Sequence, residues 1–194
     1  MATRQLDDAF TPDVQWREWV GRHPIAGSAL AGVIATQLAT IVGYFLPGIG
    51  LPSLNWPAVN GALVLPAASP GAQFAAGAFV HTVDGVVFAL LFAVLVRGRL
   101  PLADTPAGSM QKGVVYSIVL ALISAGFLVP YVYFPKTGAG LFSFGYDDGW
   151  KLPAAILLWH LVYGYFLGTL YSPTAAQQPT VVLDDELPRA TVVS

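Results

Sequence analysis

The sequence predicts an all-α polytopic membrane protein, with four transmembrane helices built as two parallel helical-hairpin repeats. Three observations carry that prediction. The 194 residues are 55% hydrophobic and only 10% charged, whereas soluble domains carry about 25% charged residues. Four apolar segments each reach the roughly 20 residues that a helix needs to cross a bilayer. A histidine-headed apolar stretch also occurs twice, at His81 and at His160.

Residues 1–24 are polar, and the first 23 mix four acids with four Arg or His and have no apolar core. They are expected to be a cytoplasmic tail and not a cleaved signal, so the first apolar segment inserts the chain. The predicted helices span residues 25–46, 74–96, 113–134 and 152–171. Pro47, Pro135 and Pro173 close three of them. Pro24 and Pro153 stand in first turns, where a missing N–H costs nothing. Pro130 lies inside the third segment; it predicts a kink or an early end, with "YVYFP" as an aromatic interfacial collar.

Residues 47–73 carry no charge, are rich in Pro and contain Trp56. They are too short to cross again and are expected to lie in the interface or dip back. Residues 135–151 are rich in Gly and aromatics and should fold over the helix ends, with Asp147 and Asp148 in a solvated turn. Residues 172–194 read as a flexible cytoplasmic tail. Seven of the nine Lys and Arg fall in the two tails and the second connection, and only Lys136 and Lys151 fall elsewhere. That bias predicts cytoplasmic N- and C-termini in a multi-pass protein of the cell (inner) membrane.

"HTVDGVVFALLF" from His81 and "HLVYGYFLGTLY" from His160 align without a gap at a shift of 79 residues. The helices bearing them are therefore expected to run parallel, with both histidines roughly 10–12 Å in from the outer ends at 1.5 Å per residue. Small residues recur every fourth position: Gly27, Ala31, Ala35, Ala39 and Gly43 in the first helix, and Gly113, Ser117, Ala121 and Ala125 in the third. Gly77, Gly85 and Ala89 keep phase with His81, and Gly164 and Gly168 with His160. Residues four apart share a helix face, and small ones let helices approach closely in lipid. Both histidines should thus point into the bundle.

Asp84 lies near the midplane, one turn from His81, and the repeat places Tyr163 at the matching position. A carboxyl at that depth is either protonated or paired. His81, His160, Tyr163, Gln37 and Thr36 are the candidate partners, which makes His81, Asp84, His160, Tyr163 and Gln37 the expected intramembrane polar cluster.

Composition excludes several classes. With no Cys there is no thiolate nucleophile, disulfide or cysteine-held cluster. A net charge of −2 with scattered Lys and Arg excludes nucleic acid as a partner. There is no G-x-S-x-G elbow, and "GAGLFSFG" follows no strand, so no catalytic residue is assigned. The favoured role for His81 and His160 is interhelical hydrogen bonding, in a non-catalytic accessory or structural subunit of a larger membrane complex. Its expected partners are the bilayer and a membrane protein or a second copy. The alternative is an electron-transfer subunit in which His81 and His160 bind a b-type haem. A metal would instead take His81, Asp84 and His160. The second alternative is a proton-coupled transporter centred on His81 and Asp84.

"GVIAT" at Gly32 to Thr36, the H-x-x-x-G of His81 and Gly85, and "HLVYGYFLGTLY" at His160 to Tyr171 together carry a resemblance. Over residues 25–171 the chain resembles a loose family of small uncharacterised four-helix bacterial integral membrane proteins. The resemblance implies the four-helix fold and brings no catalytic assignment.

Overall fold

The computed structural model describes residues 12–135, 140–141 and 149–172, and among these it is helical throughout, without strands. Helix α1 runs Pro12–Arg22, α2 Pro24–Phe45, α3 Trp56–Val64, α4 Pro70–Leu91, α5 Pro106–Ile123 and α6 Lys151–Leu170. Helix α2 ends in a 3-10 turn, Leu46–Ile49, and α4 continues as a wider π segment, Phe92–Val96, and a 3-10 turn, Arg97–Arg99. Helix α5 continues as a π segment over Ser124–Tyr133. Four stretches are long and apolar enough to cross a membrane: Pro24–Ile49, Pro70–Arg99, Pro106–Tyr133 and Lys151–Leu170. They are called spans 1 to 4 below.

Spans 2 and 3 begin earlier than residues 74 and 113, and the reason is local. Ser69 accepts from the Ala72 N–H, and Thr105 from the Gly108 N–H, each just before a Pro in the first turn. These N-caps start the helices inside segments that hydropathy reads as loop.

The segment expected as a polar tail contains α1, which packs onto the bundle. Val20 is fully buried, and Gly27 leaves room for it. One turn earlier, Trp16 Nε1 donates to the Leu170 carbonyl at 2.7 Å, and Arg17 Nε donates to the Ser172 carbonyl at 3.1 Å. Carbonyls at the end of a helix lack intrahelical donors, and α1 supplies two.

The uncharged connection after span 1 does turn back, as the nine-residue helix α3. It lies antiparallel on the first turns of span 2, so close that a Cβ on Gly61 would strike the Gln73 carbonyl and one on Gly77 the Pro57 carbonyl. Glycine is required at both positions.

Pro130 neither ends nor sharply breaks span 3; it sits inside the widened turns. A π turn bonds residue i to i−5, so the absent Pro130 N–H leaves the Ala125 carbonyl without that donor. The Leu141 N–H takes its place at 2.7 Å. Gly140 makes the approach feasible, with φ at +137° and no Cβ to collide with Ala125 and Pro130.

The spans pack in the order 2-1-4-3. Span 1 lies between spans 2 and 4, and span 4 packs closely on span 3. Small residues form these seams. In span 1 they are not the expected stripe from Gly27 to Gly43 but its neighbours: Gly32 against Ala89 and Gly85, and Gly85 against Thr36. Gly113 and Ser117 pack against Gly164 as the stripes predict. Spans 2 and 3 meet mainly through residues 92–99, at the end of the bundle that bears Arg97. There Phe92 packs on Tyr116, and Asp104 bridges Arg97 (3.1 Å) and the buried Lys112 (2.8 Å). Toward the Trp56 end the two spans separate.

Candidate functional site

A cavity of about 80 Å³ fills that separation. Its inner wall is His81, Gly85, Trp159, His160 and Tyr163, and Asp84, Phe88, Ile123, Ser124 and Leu128 line the side between spans 2 and 3. Trp56 and Asn60 of α3, with Tyr133, cover the Trp56 end. Ile123 is 48% exposed, whereas His81 and His160 are only 8% exposed. The cavity is thus half open, through the seam between spans 2 and 3, with its polar groups at the back. At the Arg97 end it is closed by the Phe92–Tyr116 contact and by the Tyr116 hydroxyl, which donates to the Phe88 carbonyl at 2.9 Å.

The hydrogen bonds define which atoms remain available. Thr40 Oγ1 lies 2.7 Å from the Thr36 carbonyl and 3.0 Å from His81 Nε2. A hydroxyl has one proton and the carbonyl can only accept, so Thr40 donates to Thr36 and accepts from His81 Nε2–H. His160 Nδ1 lies 2.8 Å from the Ile156 carbonyl and must donate to it. In the neutral ring the lone pair is then on Nε2, at the edge remote from the helix backbone. The Tyr163 hydroxyl donates to the Gly85 carbonyl at 2.8 Å. Among the described residues the Asp84 carboxyl has no hydrogen-bond or ion-pair partner. Trp159 Nε1 is also buried without an acceptor.

Of the polar cluster read from the sequence, His81, Asp84, His160 and Tyr163 do line one cavity. Gln37 does not join them; its Nε2 donates to Thr82 Oγ1 at 2.9 Å on an exposed side of the span 1–span 2 pair. Thr36 donates to the Gly32 carbonyl at 2.7 Å, and its hydroxyl is enclosed against Gly85. Sequence reasoning passed over Trp159, whose ring stacks on Tyr163 (5.9 Å, 6° between planes) and touches both His81 (5.4 Å) and His160 (5.0 Å). It also passed over Thr40, one turn from Thr36, and Asn60, a polar residue in an uncharged loop. Asp147 and Asp148 lie outside the described residues.

Neither prosthetic reading matches this geometry. Haem ligation needs two free imidazole nitrogens facing each other across a flat ring. Here His81 Nε2 is bonded to Thr40, and the Trp159 indole packs against both imidazoles. For a metal, the described residues contain no group of three His, Asp or Glu placed to hold an ion.

No family model, curated protein or solved structure matches the chain. The cavity therefore has to be interpreted from its own chemistry.

Thr40→Val tests the assigned hydrogen bonding. It leaves the buried His81 Nε2–H unpaired, so the expected cost is about 1 kcal/mol. The imidazole ¹⁵N spectrum should show the His81 tautomer redistribute, and an unchanged His81 signal would refute the assignment.

Proposed function

We propose that this chain is a non-catalytic integral membrane protein that holds a small lipid-soluble molecule in the cavity between spans 2 and 3. The observation that supports this is the conjunction of a half-open apolar cavity with polar groups, among them His160 Nε2, Trp159 Nε1 and the Asp84 carboxyl, that have no protein partner. Binding sites are typically apolar and concave, with a few fixed polar groups that orient the ligand. Closure at the Arg97 end argues for a binding pocket over a through-path, and hence for holding over transport. Among the described residues no nucleophile paired with a base lines the cavity, in keeping with a non-catalytic role.

The charge distribution of the sequence supports cytoplasmic termini, which puts the Trp56 end outside. The subunit role anticipated above remains a separate proposal, and it predicts co-purification with a larger membrane protein after mild detergent extraction.

The test of binding is native mass spectrometry of protein taken from membranes. Wild type is expected to carry an adduct that Ser124→Phe, which fills the cavity, lacks. Wild-type protein that flies without any adduct, or an adduct retained by the filled variant, would count against the proposal.

A further inference from the structure

We infer that the ligand is an apolar molecule with a hydroxyl at its head, and that this hydroxyl donates to His160 Nε2. The inference rests on the binding reading above and adds the ligand's chemical class.

Three of the cavity's titratable side chains have directed a proton away from it. The His160 Nδ1–H is taken by Ile156, the His81 Nε2–H by Thr40 and the Tyr163 O–H by Gly85. What His160 offers the cavity is a lone pair, which can only accept. A ligand carrying only acceptors, such as a ketone, ester or ether, would leave that buried lone pair unpaired, and a donor would satisfy it. Leaving a buried polar group unpaired is what gives such sites their discrimination.

Size narrows the class further. A water requires about 10–15 Å³ of such space, and an engineered 150 Å³ cavity holds one benzene. The 80 Å³ here accommodates a hydroxyl and a few carbons, not a ring with its substituents. The rest of the molecule must leave through the seam, where Phe88, Ile123 and Leu128 present an apolar exit. A single-chain lipid alcohol meets both conditions, whereas an aromatic head needs more volume than the cavity has.

The experiment compares two isomers, 1-decanol and methyl nonyl ether, which have the same atoms but differ in the O–H. Full-length wild-type protein with ¹⁵N-labelled histidine is placed in lipid nanodiscs, and each isomer is titrated while the His160 Nε2 resonance is followed. His23, which lies outside the cavity, serves as the internal reference. The alcohol should move the His160 Nε2 resonance and saturate at roughly tenfold lower concentration than the ether, the selectivity expected of one buried hydrogen bond. The ether should move Nε2 far less at saturation, since it has no proton to donate. Equal responses to both isomers would overturn the donor assignment and leave the binding reading standing. No response to either would overturn both.

Discussion

Gly164→Val is expected to prevent stable assembly of the bundle. A Cβ at Gly164 would fall inside the envelopes of the Ser117 side chain and the Gly113 carbonyl. Backbone cannot move aside as the end of a flexible chain can, so spans 3 and 4 must separate. Forcing atoms into a tight seam costs about 3 kcal/mol or more. At this chain length that is roughly a 10 °C fall in melting temperature. The control is Gly48→Ala, which meets nothing within 4 Å and has an ordinary backbone conformation. Thermal aggregation in detergent should separate the two variants. A Gly164→Val protein as stable as the control would mean that the span 3–span 4 seam is wrongly drawn.

The second large effect belongs to the charge group at the Arg97 end. Lys112 is 2% exposed, and its Nζ donates to Asp104 at 2.8 Å. Asp104→Ala strands that buried ammonium, with an expected loss of about 2 kcal/mol. The double variant Asp104→Ala/Lys112→Met, with an apolar chain in place of the orphaned charge, should recover most of it. A double variant no better than Asp104→Ala would argue that Asp104 acts elsewhere.

The same group has a pH signature. The Lys112 hydrogen bond, then the charges of Arg97 and Lys112, hold the Asp104 carboxyl below its ordinary value of 3.8. A carboxyl whose folded value is depressed contributes stability that is complete above the ordinary value and lost as the pH falls through the folded one. Stability should therefore be flat at neutral pH and fall in strong acid, and the fall should be smaller in Asp104→Ala. Because Asp104 is 72% exposed, solvent screening keeps this component small.

The four spans were legible because hydropathy and length alone decide what crosses a bilayer. The seams were legible because small residues every fourth position leave few other ways to pack. The helix starts at Ser69–Pro70 and Thr105–Pro106 were hidden because a cap is a local hydrogen bond, which hydropathy does not register. Helix α1 was hidden by its charges; its signal was the four-residue spacing of Trp16 and Val20. Within the site, depth and face brought His81, His160, Asp84 and Tyr163 together. Gln37 was misplaced because a candidate partner was chosen by depth without knowing which side of span 1 faces the cavity. The widened turns of span 3 account for another gap. Ser124, Leu128 and Tyr133 line the cavity at spacings of four and then five residues, and the second step does not exist in a regular α-helix.

Because spans 2 and 3 part company on the Trp56 side of residue 92, the protein builds three sides of its cavity and leaves the fourth to the membrane. In an empty cavity an acyl chain is the neighbour that Phe88 and Ile123 meet across the gap. Acyl length, unsaturation and lateral pressure then act on this pocket much as a substitution in its wall would. On the binding reading proposed above, an affinity measured in detergent and one measured in a bilayer would describe two different sites.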